Sequence, residues 1–196
     1  MRIRNAELSD CLRLAKMHKE CLNRSFLGTL GEGFLAVLYR ALVEYEDGML
    51  IIAEDDDRTV GFISGAVDTG RFYNYFLKRN LFSTTFLLVP KLFKIDVIRK
   101  VLETLRYSRV VPTISLPKAE LLSVAVTGDY QGKGVGGMLF NGLTTEFIKK
   151  DVKRFKVAVS TQLSRAQKFY EKMGGKFHSE VEVHKGESSK VYVWTL

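Results

Sequence analysis

A glycine-rich loop set between an apolar strand and an amphipathic helix constrains this chain most. Leu121-Leu122-Ser123-Val124-Ala125-Val126 reads as a buried strand, and Gly128-Asp129 turns the chain. Gln131-Gly132-Lys133-Gly134-Val135-Gly136-Gly137 then opens a segment with Val135, Leu139, Leu143 and Phe147 four residues apart. Glycines let the backbone come close to a neighbour. A helix start adds unpaired N–H groups and the positive end of the dipole, so the passage reads as a phosphate cradle. Lys133 adds a positive charge. Two familiar phosphate loops do not fit. Residues 132–137 match G-x-G-x-x-G in form, but a dinucleotide fold puts that loop after its first strand, with an acid about 20 residues on. Here the loop lies late in the chain, and the next strand ends at Ser160-Thr161 without an acid. A Walker loop needs a Lys-Ser/Thr pair, which is absent.

The remaining periodicities predict one domain over residues 1–196, of mixed α+β class, with about seven strands and four helices plus an insert. Arg2 to Ala6 reads as a strand. Ser9 is a candidate N-cap for a helix to about Leu22, with Leu14, Met17 and Cys21 on one face. Phe34, Leu35, Leu38 and Leu42 stripe a second helix from Glu32 to Tyr45. Met49–Ala53 and Val60–Val67 read as strands joined by a turn at Asp55-Asp56-Asp57. The glycine loop opens a helix to Lys150, and Phe155–Thr161 follows as a strand. Ser164-x-x-Gln167 reads as a capping box for a short helix ending at Gly174-Gly175. Lys176–Val183 and Val191–Leu196 close the chain as strands around a polar turn at 185–190.

Charge is concentrated in one segment. Between Arg71 and Lys118, ten Lys and Arg residues face only Asp96 and Glu103, which accounts for the whole net charge of +8. Phe72, Tyr73, Tyr75, Phe76, Phe82, Phe86, Phe93 and Tyr107 lie in the same stretch, and its helical periodicity breaks at Pro90 and around Pro112 and Pro117. Such a segment suits an anionic ligand, an anionic membrane surface met peripherally, or another subunit. A bland alternative is a helical piece whose apolar face is core and whose charges are solvated. No nucleic-acid motif accompanies it. Nor does any apolar run reach the ~18 residues of a membrane span. The start MRIRNAELSD lacks a secretory apolar region, so the expected address is cytoplasmic. Cys11 and Cys21 on one helix stand ~15 Å apart, too far for a disulfide. His18, His178 and His184 are scattered without zinc spacing, so no metal is expected and structural or exposed roles fit them. Trp194 in the last strand reads as a core or interface residue. Were that strand an edge, it would offer a homodimer contact.

Gln131-x-x-Gly134-x-Gly136 directly after the strand resembles the acetyl-CoA signature of the GNAT superfamily of N-acetyltransferases, Q/R-x-x-G-x-G/A. Ala166-x-x-Phe169-Tyr170-Glu171-Lys172-Met173-Gly174 resembles the family's A-x-x-F-Y-x-x-x-G helix. The order of elements is similar over nearly the whole chain, the insert at about 71–118 excepted. The resemblance implies a mostly antiparallel central sheet flanked by helices, with the insert between strands 3 and 4. It implies that main-chain groups of Val124, Ala125 and Val126 bind the pantetheine arm of acetyl-CoA. It assigns the pyrophosphate to the N–H groups of Gln131, Gly132, Lys133, Gly134, Val135 and Gly136, and makes Ser164 a further contact in place of a missing asparagine. Tyr170 matches the tyrosine that protonates the departing thiolate, and Glu120 stands where some members carry a general base. Ser123 is a second candidate, for ordering a water.

The implied reaction is transfer of an acetyl group to a primary amine by direct attack. Its acceptor is an unidentified small molecule, with anionic groups such as those of an amino-sugar derivative favoured by the basic insert acting as a lid. A non-catalytic acetyl-CoA sensor or scaffold, and an enzyme acting on peptide or protein amines, are the alternatives.

Overall fold

Seven strands form one sheet in the computed structural model, which describes residues 1–23, 25–92, 103, 116–184 and 186–196. The strands are β1 (Arg2–Asn5), β2 (Gly48–Asp55), β3 (Arg58–Ala66), β4 (Ala119–Val126), β5 (Arg154–Ser160), β6 (Lys176–His184) and β7 (Glu187–Thr195). Their order is β1-β2-β3-β4-β5-β7-β6. Every neighbouring pair is antiparallel except β4 and β5. The described helices are α1 (Cys11–Cys21), α2 (Phe26–Thr29), α3 (Glu32–Glu44), α4 (Thr69–Leu92), α5 (Val135–Lys149) and α6 (Ser164–Lys172). The expected mixed, mostly antiparallel α+β sheet with an insert between β3 and β4 is the observed one.

Helices cover both faces, which is why β2 and β3 are apolar runs rather than alternating ones. On one face Leu14, Leu35, Leu38 and Leu42 of α1 and α3 pack with Leu50, Ile52 and Phe62. On the other, Leu139, Leu143 and Phe147 of α5 pack with Ile51, Ile63 and Phe155. Each fully buried side chain of this size contributes about 1.5–3 kcal/mol. Trp194 belongs to this second layer, stacked on Phe155 with centroids 4.9 Å apart. Its strand, β7, lies between β5 and β6. The edges are β1 and β6, so the edge contact expected at Trp194 does not exist.

Several local expectations need correction. Ser9 does not cap α1. It sits in a short 3-10 turn, Leu8–Asp10, that exists because Asp10 is pulled inward. The Asp10 carboxylate accepts from the Glu7 N–H at 2.8 Å and pairs with Arg4 and Arg13. Nor does Ser164 cap α6: Leu163 holds the cap position, and the Gln167 side-chain amide bonds back to the carbonyls of Ser160 and Thr161. The helical break in the insert falls at Asn80 (φ −115°, ψ 15°), and α4 runs on past Pro90 to Leu92. The polar turn near 185–190 is mostly strand, since β6 reaches His184 and β7 starts at Glu187. The break expected at Pro112, and most of the basic segment after Leu92, lie outside the described residues.

Over the first turns of α4, up to Asn80, the apolar stripe of the insert is core. Phe72 and Phe76 pack against Tyr45 and Phe34, while Arg71 and Arg79 reach surface acids, Asp68 and Glu44. Cys11 and Cys21 are both free thiols. No described helix is long and apolar enough to cross a membrane.

Candidate active site

Strands β4 and β5 pair only at Ala119–Phe155 and Glu120–Lys156, and then part. From Leu121 onward the β5-facing edge of β4 is open. Opposite, β3 pairs with β4 along its length, with Ser64 facing Ser123 and Gly65 facing Leu121, so Leu122 is an extra, bulged residue. The Thr127 N–H bonds to Val60 O on the β3 side. Main-chain groups alternate sides along a strand, so those of Val126 and Val124 point into the open slot and those of Ala125 point to β3. Of the three strand residues predicted to hold a cofactor arm, two therefore offer their amides to the gap. The Val126 carbonyl already accepts from the Gln131 side-chain amide at 2.9 Å.

The glycine loop follows at the open end of that slot. Gly132 (φ +79°) and Gly134 (φ +86°) adopt left-handed backbone, and a Cβ on either would meet nothing within 4 Å. They are glycines for their torsion angles. Gly136 is different: its Cβ would come to 3.2 Å from the Phe169 ring, so its bareness lets α5 and α6 touch. The two sequence motifs, some thirty residues apart, thus meet in space. Among the described residues, the N–H groups of Gly132, Gly134, Val135 and Gly136 have no acceptor within the protein, whereas those of Gln131 and Lys133 turn back to Gly128 and Tyr130. Four unpaired donors at the N-terminus of a 15-residue helix suit a pyrophosphate. The Lys133 ammonium rests over the Tyr130 ring at 5.2 Å, and the Tyr130 hydroxyl is tied to Asp55 at 2.9 Å.

Tyr170 comes from α6 and packs on Tyr192 and Trp194. Burial pushes its phenol well above the usual range, so it stays protonated, and among the described residues its hydroxyl has no partner. Ser164, the first residue of α6, is exposed.

Glu120 and Ser123 lie toward α1, α3 and α4. Glu120 Oε2 accepts from Lys156 Nζ at 2.9 Å and from the Thr69 hydroxyl at 3.1 Å. Tyr73 of α4 also faces it: burial first, and the Glu120 charge second, raise that phenol's pKa. The Tyr39 hydroxyl meets Ser123 on one side and His18 Nδ1 on the other. Lys156, Tyr73, Tyr39 and His18 were not legible from spacing. Tyr73 stood out only as one aromatic of the basic insert, and no motif marked Lys156 or Tyr39. Among the described residues no three His, Cys, Asp or Glu side chains gather so as to hold a metal.

An open slot between parting parallel strands with a donor-rich loop beside it is a geometry that suits an extended, phosphate-bearing acyl carrier. The chain matches the model of the acetyltransferase (GNAT) family over residues 16–175, and it belongs to that family, whose reaction is acetyl-CoA-dependent N-acetylation. Among solved structures it resembles the PaiA N-acetyltransferase from Thermoplasma acidophilum in complex with coenzyme A (15% identity, TM-score 0.63, covering 100% of this chain and 98% of that one). It also resembles a ribosomal-protein-alanine N-acetyltransferase from Brucella melitensis (15%, 0.64, all of both chains). An aminoglycoside 6′-N-acetyltransferase complexed with coenzyme A is similar too (14%, 0.62, 100% and 97%). No curated protein sequence matches the chain.

Proposed function

We propose that this acetyltransferase acts on the primary amine of a small molecule carrying anionic groups, such as an amino-sugar derivative. Acetyl-CoA supplies an activated acyl group as a thioester. The N–H groups of Gly132, Gly134, Val135 and Gly136 hold its pyrophosphate, and the slot-facing amides of Val124 and Val126 align its arm. A main-chain N–H at the Leu122 bulge is the economical donor to the oxyanion formed on attack. Tyr170 donates a hydrogen bond to the departing sulfur. With its pKa raised by burial it serves as a donor to thiolate rather than as a strong acid. The amine approaches from the α1, α3 and α4 face. Ser123 orders the water that takes its proton, because Glu120 Oε2 is already engaged by Lys156 and Thr69.

The observation that carries this reading is the open β4 edge beside four unpaired loop amides. The anionic acceptor rests on the basic insert, and Tyr73 and Thr69 reaching Glu120 support α4 as a wall of the acceptor site. Free-thiol release from acetyl-CoA, screened against amino sugars, polyamines, amino acids and peptides, tests it. Turnover is expected with an anionic amine, and Tyr170→Phe should lower kcat roughly 100-fold while leaving acetyl-CoA affinity unchanged. Acetyl-CoA binding with no transfer to any amine, and no effect of Tyr170→Phe, would instead identify a sensor.

A further inference from the structure

Lys156 is the one lysine of the described residues buried to 1%, and it sits at the last rung before β4 and β5 part. Its ammonium bonds Glu120 Oε2 at 2.9 Å and the Pro117 carbonyl at 2.9 Å. The Thr69 hydroxyl, 3.1 Å from the same carboxylate oxygen, is 3.2 Å from the Lys118 carbonyl, which also accepts the Thr69 N–H. Four segments therefore converge on one ion pair: the start of β4, the start of β5, the first residue of α4 and the chain returning from the insert.

We infer that the Lys156–Glu120 pair is a positioning device that sets where the slot opens, with Lys156 as its central residue. The inference rests on the acetyl-CoA reading above. Beyond residue 120 neither strand has a partner across the gap, and main-chain bonding would favour zipping the seam further. A buried ion pair offsets its desolvation only while its short hydrogen bonds hold, and this one satisfies several groups at once, so a change of strand spacing that broke those bonds would leave charge buried and unpaired. Strand and insert ends are pinned to the same point, which ties the acceptor wall to the slot. Glu120 in this role acts through Lys156 and is not the proton acceptor.

The test uses two ligands of the full chain. Acetyl-CoA occupies loop and slot, whereas 3′-phospho-ADP, its nucleotide end, reaches the loop alone. Lys156→Met leaves Glu120 charged and unpaired, and should lower Tm by roughly 10 °C. Glu120→Gln/Lys156→Met removes both charges and should recover most of that loss. In this double variant, acetyl-CoA should bind about tenfold more weakly while 3′-phospho-ADP binds as in the parent. Parent-like binding of acetyl-CoA, or equal weakening of both ligands, overturns the inference and leaves the acetyl-CoA reading intact. Failure of the parent itself to bind acetyl-CoA would overturn that reading instead. If the double variant does not fold, the milder Glu120→Gln decides: it keeps a carbonyl for Lys156, and a severalfold loss of acetyl-CoA affinity supports the lock. Unchanged affinity contradicts it, since a mere proton acceptor would leave binding alone.

Discussion

At the scale of single residues, the polar groups buried without a solvent path matter most. His18 is 1% exposed between Tyr39 and Phe62. The Ser25 hydroxyl donates to the Leu22 carbonyl at 2.7 Å, so His18 Nε2–H donates to Ser25, and Nδ1 accepts from Tyr39. Burial pushes the imidazole down to about 4 from its usual 6.5. Between those values the unfolded chain binds the extra proton, so folding loses stability as pH falls from 6.5 to 4. The contribution, about 3 kcal/mol, is fully present above pH 6.5. Asp10 adds a later loss: its hydrogen bonds to Arg4 hold it at about 2, so that stability disappears between pH 4 and 2. Urea unfolding at pH 7, 5.5 and 4.5 should show the first loss, and His18→Gln should flatten that window. The partners of neither residue were legible beforehand, although a structural role was among those expected for His18. Periodicity says which positions face inward, but not which polar side chain finds a partner there.

Among the elements, the glycine loop and the helix it opens were the most legible, because torsion angle and close approach both demand glycine. Their reasons differ, and that difference is testable. Gly134→Ala forces a Cβ into left-handed backbone at a cost of about 1–2 kcal/mol and tilts the unpaired amides. It should weaken coenzyme A binding with only a modest change in Tm. Gly136→Ala instead drives a methyl into Phe169, so it should lower Tm, and Phe169→Leu in the same chain should restore it. Unfolding curves with and without coenzyme A separate the two. The expected capping box at Ser164 failed for a related reason. The pattern Ser-x-x-Gln is local, but Gln167 is 8% exposed and its amide goes to the carbonyls ending β5. A tertiary contact outweighed the cap.

Across the whole molecule, strand content and chain order could be read from alternation and turns, but pairing could not. The single parallel contact, its two-residue length and the interior position of β7 are products of packing between distant segments. The insert was legible as a charge block, and its first turns proved to be core because Phe72 and Phe76 fill the face above β3. If its remaining charge meets the acceptor, raising salt from 50 to 500 mM should raise KM for an anionic amine severalfold and leave that for a neutral amine unchanged, since screening shortens the reach of exposed charges to a few Å. The central claim, that main-chain amides of the loop grip the carrier's pyrophosphate, is tested most directly by titrating coenzyme A into 15N-labelled protein. The amide resonances of Gly132, Gly134, Val135 and Gly136 should move together and saturate at one equivalent. Resonances that stay in place at saturating coenzyme A would contradict it.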